Sequence, residues 1–329
     1  MLTFIAAILA GFVLLIWSAD RFVDGAANIA RNFGISPLIV GMLIIGLGTS
    51  APEMLVSATA AFKGDSGLGI GNALGSNITN ITMVLGATAI LFALPVHSRL
   101  LMKEFPLIIA SGVLAWVLMA DGFFSKIDGA ILLFALAVTI GWMILSAKKE
   151  AKSHDSLIEE SLEELPEKQD TKSALIWTLI GLVLLLISSN LLVWGASNVA
   201  IQLGVSKLII GLTIVAIGTS LPELAATISS ARKGETDLAV GNIVGSNLFN
   251  TMAVLALPGL IHPAAVPEGV LSRDVPIMIV LSVLLLIFSI GCFKGSKFTI
   301  NRWKGAILLL CFIAYEGMLY YQATSSVTA

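Results

Sequence analysis

The sequence predicts an all-α membrane protein of ten transmembrane helices arranged as two inverted five-helix repeats. Three observations carry this prediction. The 329-residue chain is 57% hydrophobic and only 12% charged, too little polar content to coat a soluble globule of that size. Its apolar runs are each close to the roughly 20 residues that cross a bilayer, and they lack the alternation of barrel strands. The chain also repeats itself at a separation of 170 positions.

Taken in order, the first run spans 3–19. No Lys or Arg precedes it and no small-residue cleavage site comes before Asp20 and Arg21, so it reads as a span rather than a removable leader. Runs at 37–61, 67–93, 104–120 and 127–147 complete a first unit, residues 1–147. Residues 148–173 are charged, contain Pro166 and read as a cytoplasmic linker. Its acids, from Asp155 to Asp170, lack the spacing and glycine of an EF-hand loop. Runs at 174–198, 207–231, 238–261, 275–293 and 304–322 form the second unit, residues 174–329. Cys292 and Cys311 both lie in apolar runs and offer neither a disulfide framework nor a thiolate metal site.

The basic residues set the orientation. With the amino terminus outside, fifteen of the 19 fall on one face, among them Arg21, Arg31, Arg99, Lys103, Arg232 and Lys233. The other face has only Lys63, Lys126, Lys207 and Arg273. Cytoplasmic loops carry the excess of Lys and Arg, so the expected protein sits in a bacterial-type inner membrane with both termini outside the cytoplasm. Its expected surroundings are lipid. Nothing in the chain calls for nucleic acid or an obligatory protein partner.

Gly34 to Asn80 laid over Gly204 to Asn250 gives 21 identical pairs in 47. The match extends upstream through Gly11 with Gly181 and Gly25 with Gly195. Downstream, after a slip of six residues, Gly129-Ala130-Ile131-Leu132-Leu133 returns as Gly305-Ala306-Ile307-Leu308-Leu309. Five spans are an odd number, so the second copy enters the membrane from the opposite side. Inverted repeats of this kind place a ligand site near the midplane, where broken helices of the two copies meet.

Two motifs recur in both copies. Gly48-Thr49-Ser50-Ala51-Pro52-Glu53 returns as Gly218-Thr219-Ser220-Leu221-Pro222-Glu223. Gly71-Asn72-Ala73-Leu74-Gly75-Ser76-Asn77-Ile78-Thr79-Asn80 returns as Gly241-Asn242-Ile243-Val244-Gly245-Ser246-Asn247-Leu248-Phe249-Asn250. In the first motif the proline has no amide hydrogen and its ring displaces a carbonyl of the preceding turn, so free oxygens and a kink are expected there. Thr49 and Glu53, four apart, share a helix face, as do Thr219 and Glu223. Ser50 and Ser220 adjoin them. In the second motif Ser76 with Asn80, and Ser246 with Asn250, add neutral oxygens. Glycines 71, 75, 241 and 245 allow close helix approach. An acid at the centre of a membrane helix costs about 2.5–3.5 kcal/mol to insert, and two such acids at equivalent places point to function. The combined set is all oxygen with two carboxylates, which suits sodium or calcium rather than zinc or copper.

Other chemistry has little support. His97, His154 and His262 sit at loops or span ends without a His-Glu-x-x-His pattern. There is no Walker loop, dinucleotide fingerprint or hydrolase constellation, so neither an enzyme nor a cofactor is expected. A channel normally lines its pore by symmetry among subunits, not by an inverted repeat within one chain.

At the two doubled motifs the sequence closely resembles the calcium/cation antiporter superfamily, and within it bacterial and archaeal sodium/calcium exchanger homologues. The resemblance spans the whole chain. It implies exchange of calcium for sodium, with ligands on the second, third, seventh and eighth helices. It further implies that Glu53 and Glu223 bind calcium with Thr49 and Thr219, while Ser50, Ser220, Ser76, Ser246 and the carbonyls of Gly46 and Ala216 serve flanking sodium sites. Helices 1 and 6 would slide across the remaining bundle. Some members, including potassium-dependent ones, carry aspartate where this chain has Asn250, which argues against potassium coupling. The same glutamates could instead release calcium on protonation, the alternative of a calcium/proton exchanger.

Overall fold

The computed structural model describes residues 1–96, 100–152, 170–204, 214, 216–290 and 298–328. The first half contains α1 (Leu2–Phe33), α2 (Pro37–Thr49), α3 (Ala51–Phe62), α4 (Ser66–Leu91), α5 (Met102–Met119) and α6 (Lys126–Lys152). The second contains α7 (Thr171–Gln202), α8 (Ala216–Thr219), α9 (Leu221–Arg232), α10 (Thr236–Ile261), α11 (Val270–Ile290) and α12 (Arg302–Thr328). Eight helices are long and apolar enough to cross a membrane. α2 and α3 form a ninth span, bent by 42° at Ser50. The tenth expected span, 207–231, begins outside the described residues, and α8 and α9 are its visible part.

One expected boundary is corrected. The apolar run ends at residue 19, yet α1 continues to Phe33. Hydropathy marks where lipid contact stops, not where hydrogen bonding stops. The charged stretch stays helical because Asp20 and Asp24 meet Arg232 and Lys233 at the end of α9. Gly34 then closes α1 with φ 61°, and its amide returns to Ala30 and Arg31 carbonyls, an ordinary glycine stop.

α1 and α7 lie side by side at the periphery. An added Cβ at Gly11 would meet Leu192, at Gly25 Thr178, at Gly181 Phe22 and at Gly195 Ile8. As one number rises the other falls, so the two helices run antiparallel. Each contact also has its counterpart 170 positions on, with the halves exchanged. The short strands follow the same rule. β1 (Leu94–Pro95) pairs with β4 (Thr299–Ile300), and β2 (Phe123–Phe124) with β3 (Ala264–Ala265), both antiparallel and in equivalent register.

α4 and α10 are the most buried helices, and α1, α6, α7 and α12 the most exposed. α2 crosses α10 with backbones in contact. Gly41 abuts Leu238 and Gly241, Gly46 abuts Gly245 and Ser246, and Gly245 abuts Met42. The expected role of Gly241 and Gly245 in close approach is met here; no described residue comes within 4 Å of a Cβ at Gly71 or Gly75.

Candidate cation site

The site is built on the interruptions in the helices. At Ser50 the backbone leaves helical geometry (φ −80°, ψ 4°), as it does at Ser220 (φ −89°, ψ 5°), and in each case Pro52 or Pro222 opens the next helix. That is the favoured place for proline, because the amides of a first turn have no partner anyway. Glu53 and Glu223 consequently occupy the first turns of α3 and α9, where the positive end of the helix dipole faces their carboxylates. α4 and α10 each switch to a π-helical turn at Asn80–Val84 and Asn250–Val254, an irregularity that recurs at functional sites.

Thr49, Ser50, Glu53, Ser220, Glu223, Ser246, Asn80 and Asn250 are completely buried, and Ser76 nearly so. Bonds cross between the halves. Ser50 Oγ donates to Glu223 Oε1 at 3.3 Å. Thr49 Oγ1 lies 3.1 Å from Asn242 Oδ1 and 3.3 Å from Ser246 Oγ. Ser246 Oγ donates to the carbonyl of Gly46 at 3.3 Å. Ser50, three residues before Glu53 in the chain, thereby links the first-half motif to the second-half glutamate. Thr219 ends the short helix α8 as Thr49 ends α2, and Ala216 in α8 is the counterpart of Gly46 in α2 at the 170-residue separation.

Several of these buried polar atoms have no described protein partner. Among the described residues neither oxygen of Glu53 has a hydrogen-bond partner, nor does Glu223 Oε2, Ser220 Oγ or either amide atom of Asn80 and Asn250. Buried polar atoms in folded proteins are almost always paired, and an uncompensated buried charge costs several kcal/mol. A hard cation among these oxygens would satisfy them. No group of three or more His, Cys, Asp or Glu that could hold a metal ion occurs among the described residues.

Sequence reasoning gave no role to Asn72 and Asn242, although both stand in the doubled motif. Asn72 Nδ2 donates to the Glu53 carbonyl at 3.1 Å and to Ser57 Oγ at 3.0 Å. Asn242 Nδ2 donates to the Glu223 carbonyl at 3.2 Å and to Thr227 Oγ1 at 2.8 Å. The signal was the exact recurrence of Gly-Asn at the head of both copies. His262 lies at the end of α10 against Ser66, away from the carboxylates. His97, His154, Cys292 and the linker acids from Asp155 to Glu167 fall outside the described residues.

Three comparisons agree with this architecture. The profile of the sodium/calcium exchanger protein family matches residues 3–145 and 173–321. Inner membrane protein YrbG of Escherichia coli K12 is 40% identical over 322 residues, covering 98% of both chains. Sodium/calcium exchanger MaX1 of Methanosarcina acetivorans is 30% identical over 346 positions, covering 95% of this chain and 97% of its own. Among solved structures, the sodium-calcium exchanger NCX_Mj soaked with Na+ and Ca2+ superimposes with a TM-score of 0.79 at 32% identity, over 94% of this chain and 96% of that one. The family profile covers both halves, and the relatives match nearly end to end; the chain is a membrane-spanning cation antiporter of the sodium/calcium exchanger family.

Proposed function

We propose that this protein exchanges sodium for calcium by alternating access at a midplane site centred on Glu53 and Glu223. The observation that carries the proposal is the pair of fully buried glutamates with unpartnered oxygens, set among hydroxyls, amides and carbonyls whose bonds cross between the halves. Calcium or sodium would be held by these carboxylates with Thr49 and Thr219, while Ser50, Ser220, Ser76, Ser246, Asn80, Asn250 and the Gly46 and Ala216 carbonyls complete the oxygen shell. The coupling ion is suggested by MaX1 and NCX_Mj, both named as sodium/calcium exchangers.

The mechanism rests on the two units 1–147 and 174–329 being inverted copies, joined by the cytoplasmic segment 148–173, with both termini outside. The antiparallel α1–α7 pair and the exchanged strand pairings support that relation. A site shared by two such units opens to either side when one packed group rocks against the other. The peripheral α1–α7 pair is the natural moving group, since lipid rather than protein covers much of it.

Calcium uptake into proteoliposomes preloaded with sodium tests this reading against vesicles that carry only a proton gradient. Uptake driven by internal sodium is expected, with Glu53→Gln and Glu223→Gln inserted but inactive. Uptake driven only by protons would replace the coupling ion, and activity in either glutamine variant would overturn the site.

A further inference from the structure

We propose that Asn242, with Asn72 as its counterpart in the first half, is a positioning residue for cation binding. Its nitrogen fixes the Glu223 backbone within one half, and its oxygen orients the Thr49 hydroxyl of the other. The inference rests on the ion site proposed above and adds residues that do not themselves ligate.

The amide geometry allows one orientation. The Glu223 carbonyl can only accept, so the nitrogen of Asn242 must face it, at 3.2 Å; the second amide hydrogen goes to Thr227 Oγ1 at 2.8 Å. Oδ1 is thereby turned to the opposite side of the plane. There it meets Thr49 Oγ1 at 3.1 Å and Ser246 Oγ at 3.5 Å. Asn72 makes the same fork, to the Glu53 carbonyl and Ser57 Oγ, and Ser57 Oγ donates onward to the Gly69 carbonyl at 3.1 Å. All of these residues are buried except for a part of Asn72.

The fork has a mechanical reason. Glu53 and Glu223 stand in first turns that follow a break, so no helical turn upstream holds them. The asparagine supplies the missing restraint by tying each glutamate's backbone to the helix that carries Ser76 and Asn80, or Ser246 and Asn250. Each half thus keeps its own ligands in fixed register.

Asn242 then joins the halves. A hydroxyl ligates a cation through a lone pair, so its single hydrogen must be given elsewhere. For Thr49 the acceptors within reach are the Ile45 carbonyl at 3.1 Å, the Gly46 carbonyl at 3.4 Å, Asn242 Oδ1 at 3.1 Å and Ser246 Oγ at 3.3 Å. The Gly46 carbonyl already receives Ser50 N and Ser246 Oγ. Asn242 and Ser246, both on α10, belong to the other half, and Asn242 Oδ1 is the nearer, so the direction of the Thr49 lone pairs depends on where α10 stands relative to α2.

The test measures equilibrium binding of CaCl2 to purified protein in detergent by calorimetry, alongside ligand-free thermal unfolding. Asn242→Ala is expected to weaken binding by about fivefold or more without changing the chromatographic profile, and its loss combined with that of Thr49→Val should fall short of the product of the two, because the Thr49–Asn242 bond is common to both. Weakening below about fivefold, or losses that multiply, would overturn the proposal. Should the alanine variant fail to accumulate, Asn242→Gln decides. It keeps the amide but displaces it by one methylene, so the same weakening is expected, and wild-type affinity would refute a positional role. Glu53→Gln and Glu223→Gln, measured in parallel, separate the two ideas: normal binding in both removes the underlying site, whereas loss in both with normal binding in Asn242→Ala removes only the positioning role.

Discussion

Replacing Gly245 by alanine drives a wedge between the two helices on which the site depends. The new Cβ would stand 2.3 Å from the Met42 carbonyl oxygen, 2.6 Å from Met42 Cα and 2.8 Å from its carbonyl carbon, where ordinary contact begins at 3.4 Å. All three atoms are backbone, so no side chain can swing aside, and α10 must retreat from α2 by about 1 Å against a close-packed interior. Overpacking of this size costs about 1–3 kcal/mol. The retreat also stretches Ser246 Oγ to Gly46 O, now 3.3 Å, and Thr49 Oγ1 to Asn242 Oδ1, now 3.1 Å, beyond useful hydrogen-bond length, at about 1 kcal/mol each. Displacing ligands by about 1 Å is enough to slow a geometry-dependent step on the order of a hundredfold. The expected result is a Gly245→Ala protein that inserts, melts earlier and loses nearly all sodium-driven calcium flux in proteoliposomes. Wild-type flux at wild-type melting temperature would refute the contact argument, because the backbone clash would then have no consequence.

Other perturbations should divide stability from transport. Lys304 is fully buried and its ammonium donates to the Phe288 carbonyl at 2.7 Å and the Thr299 carbonyl at 2.6 Å; Lys304→Met should cost about 3 kcal/mol, seen as a lower melting temperature, with calcium affinity unchanged. Gly317 lies on an exposed face of α12 with open space around an added Cβ, so Gly317→Ala should leave flux and melting within error of wild type or slightly raise stability, and a loss of flux would count against the packing assigned to α12. Glu235 sits in the turn between α9 and α10, where burial, reinforced by Asp24 and opposed by Lys233, raises its carboxyl from the ordinary 4.5 to about 7. The folded protein therefore holds this proton more tightly than the unfolded chain. That stabilisation is fully present below 4.5 and lost as pH rises through 7, a change of about 3 kcal/mol. Thermal unfolding between these limits should show a slope that Glu235→Gln reduces, and identical slopes would remove Glu235 as its source.

What the sequence made legible was whatever it stated twice. Matching Gly11 to Gly181 and Gly25 to Gly195 placed glycines that the structure uses as the seam of α1 and α7. The Gly-Thr-Ser-x-Pro-Glu pair located both helix breaks, since proline physics marks such a break without any tertiary information. The length of α1 was not legible, because hydropathy ends where Asp20 and Arg21 begin, while the helix persists through pairing with residues more than 200 positions away. The π-helical turns at Asn80 and Asn250 were also hidden, since a π turn has no composition of its own. Asn72 and Asn242 were visible as letters but not as roles. A buried asparagine that glues helices and one that aims a ligand have the same sequence, and only the fork to Glu53 or Glu223 separates them.

On the proposed two-glutamate site, the same geometry would give a physical reason for exchange rather than leak. In the proposed site two ionised carboxylates would carry two negative charges, to which Asn80 and Asn250 add none. One calcium or two sodium ions would neutralise the site, whereas a third sodium would leave it net positive. Without a cation, two like charges would have to be carried through an occluded, poorly solvated state at a cost of several kcal/mol per ion. Each 1.4 kcal/mol slows a step about tenfold, so an additional 4 kcal/mol or so would suppress the unloaded transition about a thousandfold. Loaded forms escape this penalty whichever ion is bound. On the proposed site, coupling would need no separate latch, because the charge of Glu53 and Glu223 would tie passage across the membrane to occupancy.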